Sequence, residues 1–143
     1  MPDECLICRK IAAWKRGENP MVVHEFANSI FVVGDHQYHP GYCLVLLKEH
    51  LGEMHELKTE GQQAYLGEVM RAATAMAHVL RPWKMNYSCY GNQVPHLHWH
   101  LFPRYEEDPD RFNQPWLHSA EFDAHPTNRA EAAKLIEMLR EHL

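Results

Sequence analysis

The chain reads as an α+β protein, an antiparallel sheet with one long helix laid across it. Three observations carry this. Short apolar, β-rich runs recur between residues 21 and 102, and a helix-periodic stretch over 60–80 follows the third of them. No repeat, low-complexity tract or linker divides the 143 residues, so a single domain over 1–143 is expected.

Taken in order, residues 5–15 suit a short helix, closed by the turn signal Gly17 to Pro20. Residues 21–26 and 29–34 read as two strands around the hairpin-sized gap Ala27-Asn28. A loop through Pro40-Gly41 leads to a strongly apolar third strand, Tyr42 to Leu47, with Lys48-Glu49-His50 at its end. One helical turn fits 53–57. The long helix shows Leu66, Val69, Met70, Ala73, Met76, Ala77 and Leu80 at helical spacing, and Pro82 halts it. A fourth strand is expected over 84–90 and a fifth over 96–102. The polar, Pro-rich stretch 106–127 carries Trp116 and Phe122 as anchors, and 130–143 suits a terminal helix.

Bulk properties narrow the class. Apolar residues make up 45% and charged residues 23%, ordinary for a soluble globular domain. A formal charge of −5 argues against broad nucleic-acid binding, which needs a basic face. No apolar run is long enough to span a bilayer, and the opening Met1-Pro2-Asp3-Glu4 lacks a secretion signal, so no membrane partner and a cytoplasmic location are expected.

Two constellations carry chemistry. Cys5 and Cys8 form a C-x-x-C pair, which suits a redox couple or a metal. Thioredoxin-like pairs follow a strand in a βαβ unit that is missing here, and zinc wants two further Cys or His ligands. His50 and His96, both at strand boundaries, are the best placed. A closed Cys₂His₂ set would be structural. Cys43 and Cys89 sit in apolar strands and read as small buried hydrophobes.

The second constellation is His96-Leu97-His98-Trp99-His100. On a strand, alternate side chains leave one face, which would align three imidazoles and send Leu97, Trp99 and Leu101 into a core. Such a row could hold a catalytic metal, or its middle imidazole could attack phosphorus while its neighbours bind phosphoryl oxygens. The bland alternative is chance alternation on an exposed strand. Gly91, Asn92 and Gln93 precede the row and could approach phosphate, or simply make a turn. Asp35 could accept from ribose hydroxyls, or simply form its loop. Arg104 could meet phosphate or pair with Glu106 or Glu107.

The run His96-Leu97-His98-Trp99-His100-Leu101-Phe102 resembles the signature of the histidine-triad (HIT) superfamily. The N-terminal C-x-x-C, Pro40-Gly41, Lys48-Glu49-His50, Asn92 and Pro103-Arg104 fall in the order of that family across residues 5–105, leaving 106–143 as an extension. The likeness is greatest to the bacterial branch described as diadenosine tetraphosphate hydrolase-like.

The resemblance implies a five-stranded antiparallel half-barrel, commonly a homodimer. It implies a purine nucleotide substrate cleaved at the α-phosphate of an anhydride or phosphoramidate. His98 becomes the nucleophile and His100 the phosphate and leaving-group partner, with His96 completing the catalytic set. Asn92, Gln93, Asp35 and Phe31 are the substrate-binding candidates. Cys5, Cys8, His50 and His96 become ligands of a structural zinc, with no organic cofactor. Nucleotidyl transfer to an acceptor other than water and a nucleotide-binding regulator are the alternative activities. Two departures stand out. Tyr42 occupies a position where many members have histidine, and Gly34 and Asp35 compete for the slot of the usual ribose-binding aspartate.

Overall fold

The computed structural model describes residues 4–143; the opening Met1-Pro2-Asp3, read above for its lack of a signal, lies outside them. Helix α1 (Leu6–Lys15) precedes strands β1 (Val22–Glu25), β2 (Ser29–Val33) and β3 (Cys43–Leu47). After a 3-10 turn at Met54–Glu56 come helix α2 (Thr59–Leu80), β4 (Lys84–Ser88) and β5 (His98–Arg104). A 3-10 segment, Pro115–Ala124, kinked at His118, leads to α3 (Arg129–Arg140). No helix among the described residues is long and apolar enough to cross a membrane.

The five strands form one antiparallel sheet in the order β1-β2-β3-β5-β4. Helix α2 carries the chain from β3 to the far edge, and β5 then inserts between β3 and β4. The histidine-bearing strand is therefore interior and held by hydrogen bonds on both sides.

Period-two alternation divides the sheet into two faces. Val23, Phe31, Val33, Val45, Leu47 and Leu101 turn to one side, where Tyr65, Val69, Ala72 and Met76 of α2 and Ile136 and Leu139 of α3 cover them. Each large side chain so buried contributes about 1.5–3 kcal/mol. On the other side, Ile30, Val32 and Leu46 lie with Ile7 and Ile11 of α1. Tyr42, Phe102 and Phe122 form a separate aromatic cluster, with Trp116 against it.

Several details differ from the sequence reading. The fifth strand runs two residues later than expected, at 98–104 in place of 96–102. The buried stripe of α2 is turned toward Tyr65 and Ala72, leaving Leu66 and Met70 exposed, because the helix is rolled to bring Glu68 inward. Glu68 accepts from Asn28 N at 2.9 Å, Asn28 Nδ2 at 3.0 Å and Ser29 Oγ at 2.5 Å, tying the β1–β2 turn to α2. A buried carboxylate needs that number of donors.

The segment after 105 is part of the domain. Ala132, Ile136 and Leu139 enter the main core, and Arg140 donates to the carbonyls of Val23 and Val22 at 2.8 and 3.0 Å. Arg104 is only 1% exposed and pairs with Asp108, not with Glu106 or Glu107. It also donates to the carbonyls of Asn113 and Asp110, so its guanidinium is used up holding the loop after β5.

Candidate functional site

Strand β5 begins at His98, so the three imidazoles do not form one row. His98 and His100 do share a face, their ring centroids 4.7 Å apart. The face is the one away from α2, since Leu101 packs beneath the sheet and Trp99 lies against the same core. His96 stands in the preceding loop, fully buried, and its ring points elsewhere. What it offers His98 is a backbone carbonyl, 2.6 Å from Nδ1. His96 as a member of the catalytic set is thereby corrected: a carbonyl can only accept, so Nδ1 of His98 carries the proton and Nε2 keeps its lone pair.

Burial pushes both histidines toward the neutral form. His100 is driven down to about 3, first by desolvation and then by the neighbouring His98 and His36. Its Nδ1 lies 2.6 Å from the Tyr42 hydroxyl. The Trp116 ring stands perpendicular to that of His100, centroids 4.8 Å apart, and donates from Nε1 to Ser88 Oγ at 3.2 Å. Neither Nε2 is among the sealed, unpartnered polar atoms of the described residues, which are His36 Nδ1 and Trp99 Nε1. An accessible imidazole lone pair beside a second neutral imidazole can attack an electrophile and orient its oxygens.

The other cluster lies at the N-terminal end of β5. One ligand atom each from Cys5, Cys8, His50 and His96 falls within 4.8 Å of all the others. His96 Nδ1 is 3.5 Å from Cys5 Sγ, 3.4 Å from Cys8 Sγ and 3.1 Å from His50 Nδ1, and Cys8 Sγ is 3.3 Å from His50 Nδ1. A tetrahedral zinc with Zn–S near 2.3 Å and Zn–N near 2.0–2.1 Å implies edges of roughly 3.3 Å between nitrogens and roughly 3.6 Å between nitrogen and sulfur, and the separations here lie within about 0.3 Å of those, so the donor set fits such an ion. His96 Nε2 donates to the Leu47 carbonyl at 2.7 Å, which leaves the lone pair on Nδ1, facing the cysteines. Helix α1 presents Cys8, and Cys5 stands at its N-cap.

The substrate-binding candidates fare differently. Asn92 and Gln93 are exposed in the loop between β4 and β5. Asp35 lies at the end of β2, but Lys10 Nζ holds both of its oxygens, at 2.6 and 2.5 Å. Phe31 is corrected outright. It is 0% exposed, and the register aligns it with Val45 and Trp99 on the helix-covered face, opposite to His98. A side chain sealed there cannot touch a base. Ile30 does lie on the histidine side of the sheet but is covered in the cluster with α1.

Tyr42, at a position where many members have histidine, hydrogen-bonds to His100. Its signal in the sequence was only its position just before β3. Trp116 was read as an anchor, and its contact with His100 could not be read from a segment without periodicity.

The comparisons with known proteins agree with this architecture. The Protein hit of Bacillus subtilis (strain 168) is 28% identical over 120 residues, spanning 80% of this chain and 79% of that protein. A histidine triad protein from Sinorhizobium meliloti superposes with a TM-score of 0.77 at 21% identity, covering 90% of this chain and 94% of its own. A Zn-bound histidine triad family protein from Mycobacterium smegmatis gives a TM-score of 0.70 at 19% identity, covering 96% and 94%. The family model for the HIT domain matches residues 16–107, well over half of the chain, and the chain belongs to the HIT domain family.

Proposed function

We propose that this protein is a nucleotide hydrolase, cleaving at the α-phosphate of a nucleoside phosphate anhydride or phosphoramidate through a nucleotidyl intermediate on His98. Membership of the HIT family supports a nucleotide-binding, HIT-type activity. A dinucleoside polyphosphate such as diadenosine tetraphosphate is the favoured substrate. The observation that carries the reading is the 2.6 Å contact from His98 Nδ1 to the His96 carbonyl, which leaves Nε2 with a lone pair and no partner among the described residues.

In the first step Nε2 of His98 bonds to the α-phosphorus while the bond to the bridging oxygen breaks, its electron pair leaving with the rest of the substrate. Water then attacks phosphorus, giving up a proton to solvent, and the P–N pair returns to Nε2. Splitting one displacement into two lowers each barrier. His100 lies on the same face to hold phosphoryl oxygens, and the loop amides Asn92 and Gln93 are the further candidates for that task. Asp35 could serve a ribose only by exchanging its contact with Lys10.

Cys5, Cys8, His50 and His96 are proposed to hold a structural zinc. All four corners of that site are protein atoms, so the ion would add stability and leave catalysis to the imidazoles. A purine preference, a homodimer and a cytoplasmic location belong to the same reading.

The test is to mix the protein with diadenosine tetraphosphate, quench within the first turnover and digest for mass spectrometry. A nucleotidyl group on His98 and release of a nucleoside monophosphate are expected. Turnover that persists in His98→Asn would exclude the covalent route.

A further inference from the structure

We propose that Tyr42 is a positioning residue that locks His100 in the tautomer bearing its proton on Nε2, so that His100 meets the substrate as a hydrogen-bond donor. This rests on the reading of His98 and His100 as the pair that handles a phosphoryl group.

The two atoms in question, Tyr42 Oη and His100 Nδ1, are 2.6 Å apart and both residues are buried. Two arrangements could make that bond. If Nδ1 carried the proton, the phenol would accept it, and the phenol's own hydrogen would need another acceptor. Among the described residues the Tyr42 hydroxyl has no other partner, and its ring is packed among His36 at 4.7 Å, Phe102 at 4.2 Å and the His100 ring at 5.9 Å. An unmade buried donor is costly. If the phenol donates to Nδ1 instead, every polar atom of the contact is satisfied and the imidazole proton sits on Nε2. Burial pushes the Tyr42 phenol up and the His100 imidazole down, so the pair stays a neutral phenol and a neutral ring.

The surroundings hold the phenol in place. Tyr42 is stacked nearly parallel to Phe102, with an interplanar angle of 5°, and within 24° of His36, which Phe122 covers in turn. Its carbonyl accepts from Gly34 N at 3.0 Å and Gln37 Nε2 at 2.9 Å. Gly34 makes room for the ring: a Cβ there would stand 2.3 and 2.5 Å from Tyr42 Cδ2 and Cε2. The φ of Gly34 is not in the left-handed region, so space rather than backbone conformation demands glycine. Gly34 and Tyr42 thus act as one device. The same collision means that no carboxylate side chain can stand at residue 34 while Tyr42 keeps its contact.

The experiment uses the full chain, with Tyr42→Phe and Gly34→Ala as variants. Tyr42→Phe keeps the ring stack and removes only the hydroxyl. Heteronuclear spectra of the wild-type imidazoles should show the His100 proton on Nε2 and a hydrogen-bonded lone pair on Nδ1. In Tyr42→Phe the Nδ1 resonance should move to that of a free lone pair, and Gly34→Ala, by displacing the ring, should move it in the same direction. With diadenosine tetraphosphate as substrate, Tyr42→Phe should lower kcat about tenfold or more while KM changes less than twofold, the mark of a contact felt in the transition state. A wild-type proton on Nδ1, or an unchanged His100 spectrum in Tyr42→Phe, overturns the proposal. An unchanged kcat in an active enzyme overturns its catalytic half. A wild type inactive on all nucleotides would sink the hydrolase reading alone, because the spectra need no turnover.

Discussion

His96 and His98 are two residues apart, yet their rings sit in opposite chemical settings. His96 is fully buried, its Nε2 donating to Leu47 and its Nδ1 turned to two thiols and a second imidazole. His98 spends its Nδ1 on a carbonyl and leaves Nε2 bare. One ring is surrounded by donors that a cation would draw together; the other keeps a free electron pair. The partners of the two nitrogens, rather than the spacing of the residues, separate the proposed ligand from the proposed nucleophile.

The contrast can be broken by crossing the two positions. His98→Ala should reduce turnover of diadenosine tetraphosphate by about 10⁴-fold or more while the melting temperature barely moves, as expected when a nucleophile is removed. A variant that keeps appreciable turnover would show that the free lone pair does not react. The converse, His96→Ala, should abolish binding of the proposed zinc and lower the melting temperature by on the order of 10 °C, because metal binding is coupled to folding. Metal content and a thermal melt measured together decide this; an unchanged melt would mean that the cluster is only packed thiols and imidazoles.

Acid sharpens the same comparison. His100 has a folded value near 3, well below the unfolded reference of about 6.5. The unfolded chain therefore binds the proton first, and the stability this group confers is whole above pH 6.5 and falls as pH drops toward 3. Burial lowers His36, His39 and His98 in the same direction. Between pH 7 and 5 the loss from His100 alone is about 2 kcal/mol, a fall in melting temperature on the order of 5 °C. A flat melt over that range would contradict the burial of a neutral ring. The smallest effect is expected for Lys10→Ala. The pair with Asp35 is a half-exposed contact, so its loss should cost less than about 1 kcal/mol by denaturant titration.

Much of the architecture was legible before any coordinates. The three helices and five strands fall where they were expected, and α2 ends at Leu80, with its C-cap Arg81, φ +48°, directly before Pro82. Leu97 and Leu101 entered the core that alternation predicted for them. Less legible was where β5 begins. A chain can alternate in type over residues that the sheet does not pair, and hydrogen bonds to β3 and β4 decide the first strand residue. That two-residue difference moved His96 out of the row. Phe31 failed for a related reason: an apolar run does not state which of its residues face which side until a neighbouring strand sets the register.

What the sequence determined alone was local: the periods that make helices and strands, the proline and glycine that stop them, and the supply of imidazoles, thiols and amides. Those follow from backbone sterics and side-chain chemistry acting over a few residues. Only the tertiary structure decided that Cys5 and Cys8 meet His50 and His96, that Glu68 clasps the first hairpin, and that Tyr42 reaches His100 through space left by Gly34. Each of these joins groups distant in the chain, and the direction of a side chain at such a contact is set by packing and hydrogen-bond satisfaction, which no local pattern records.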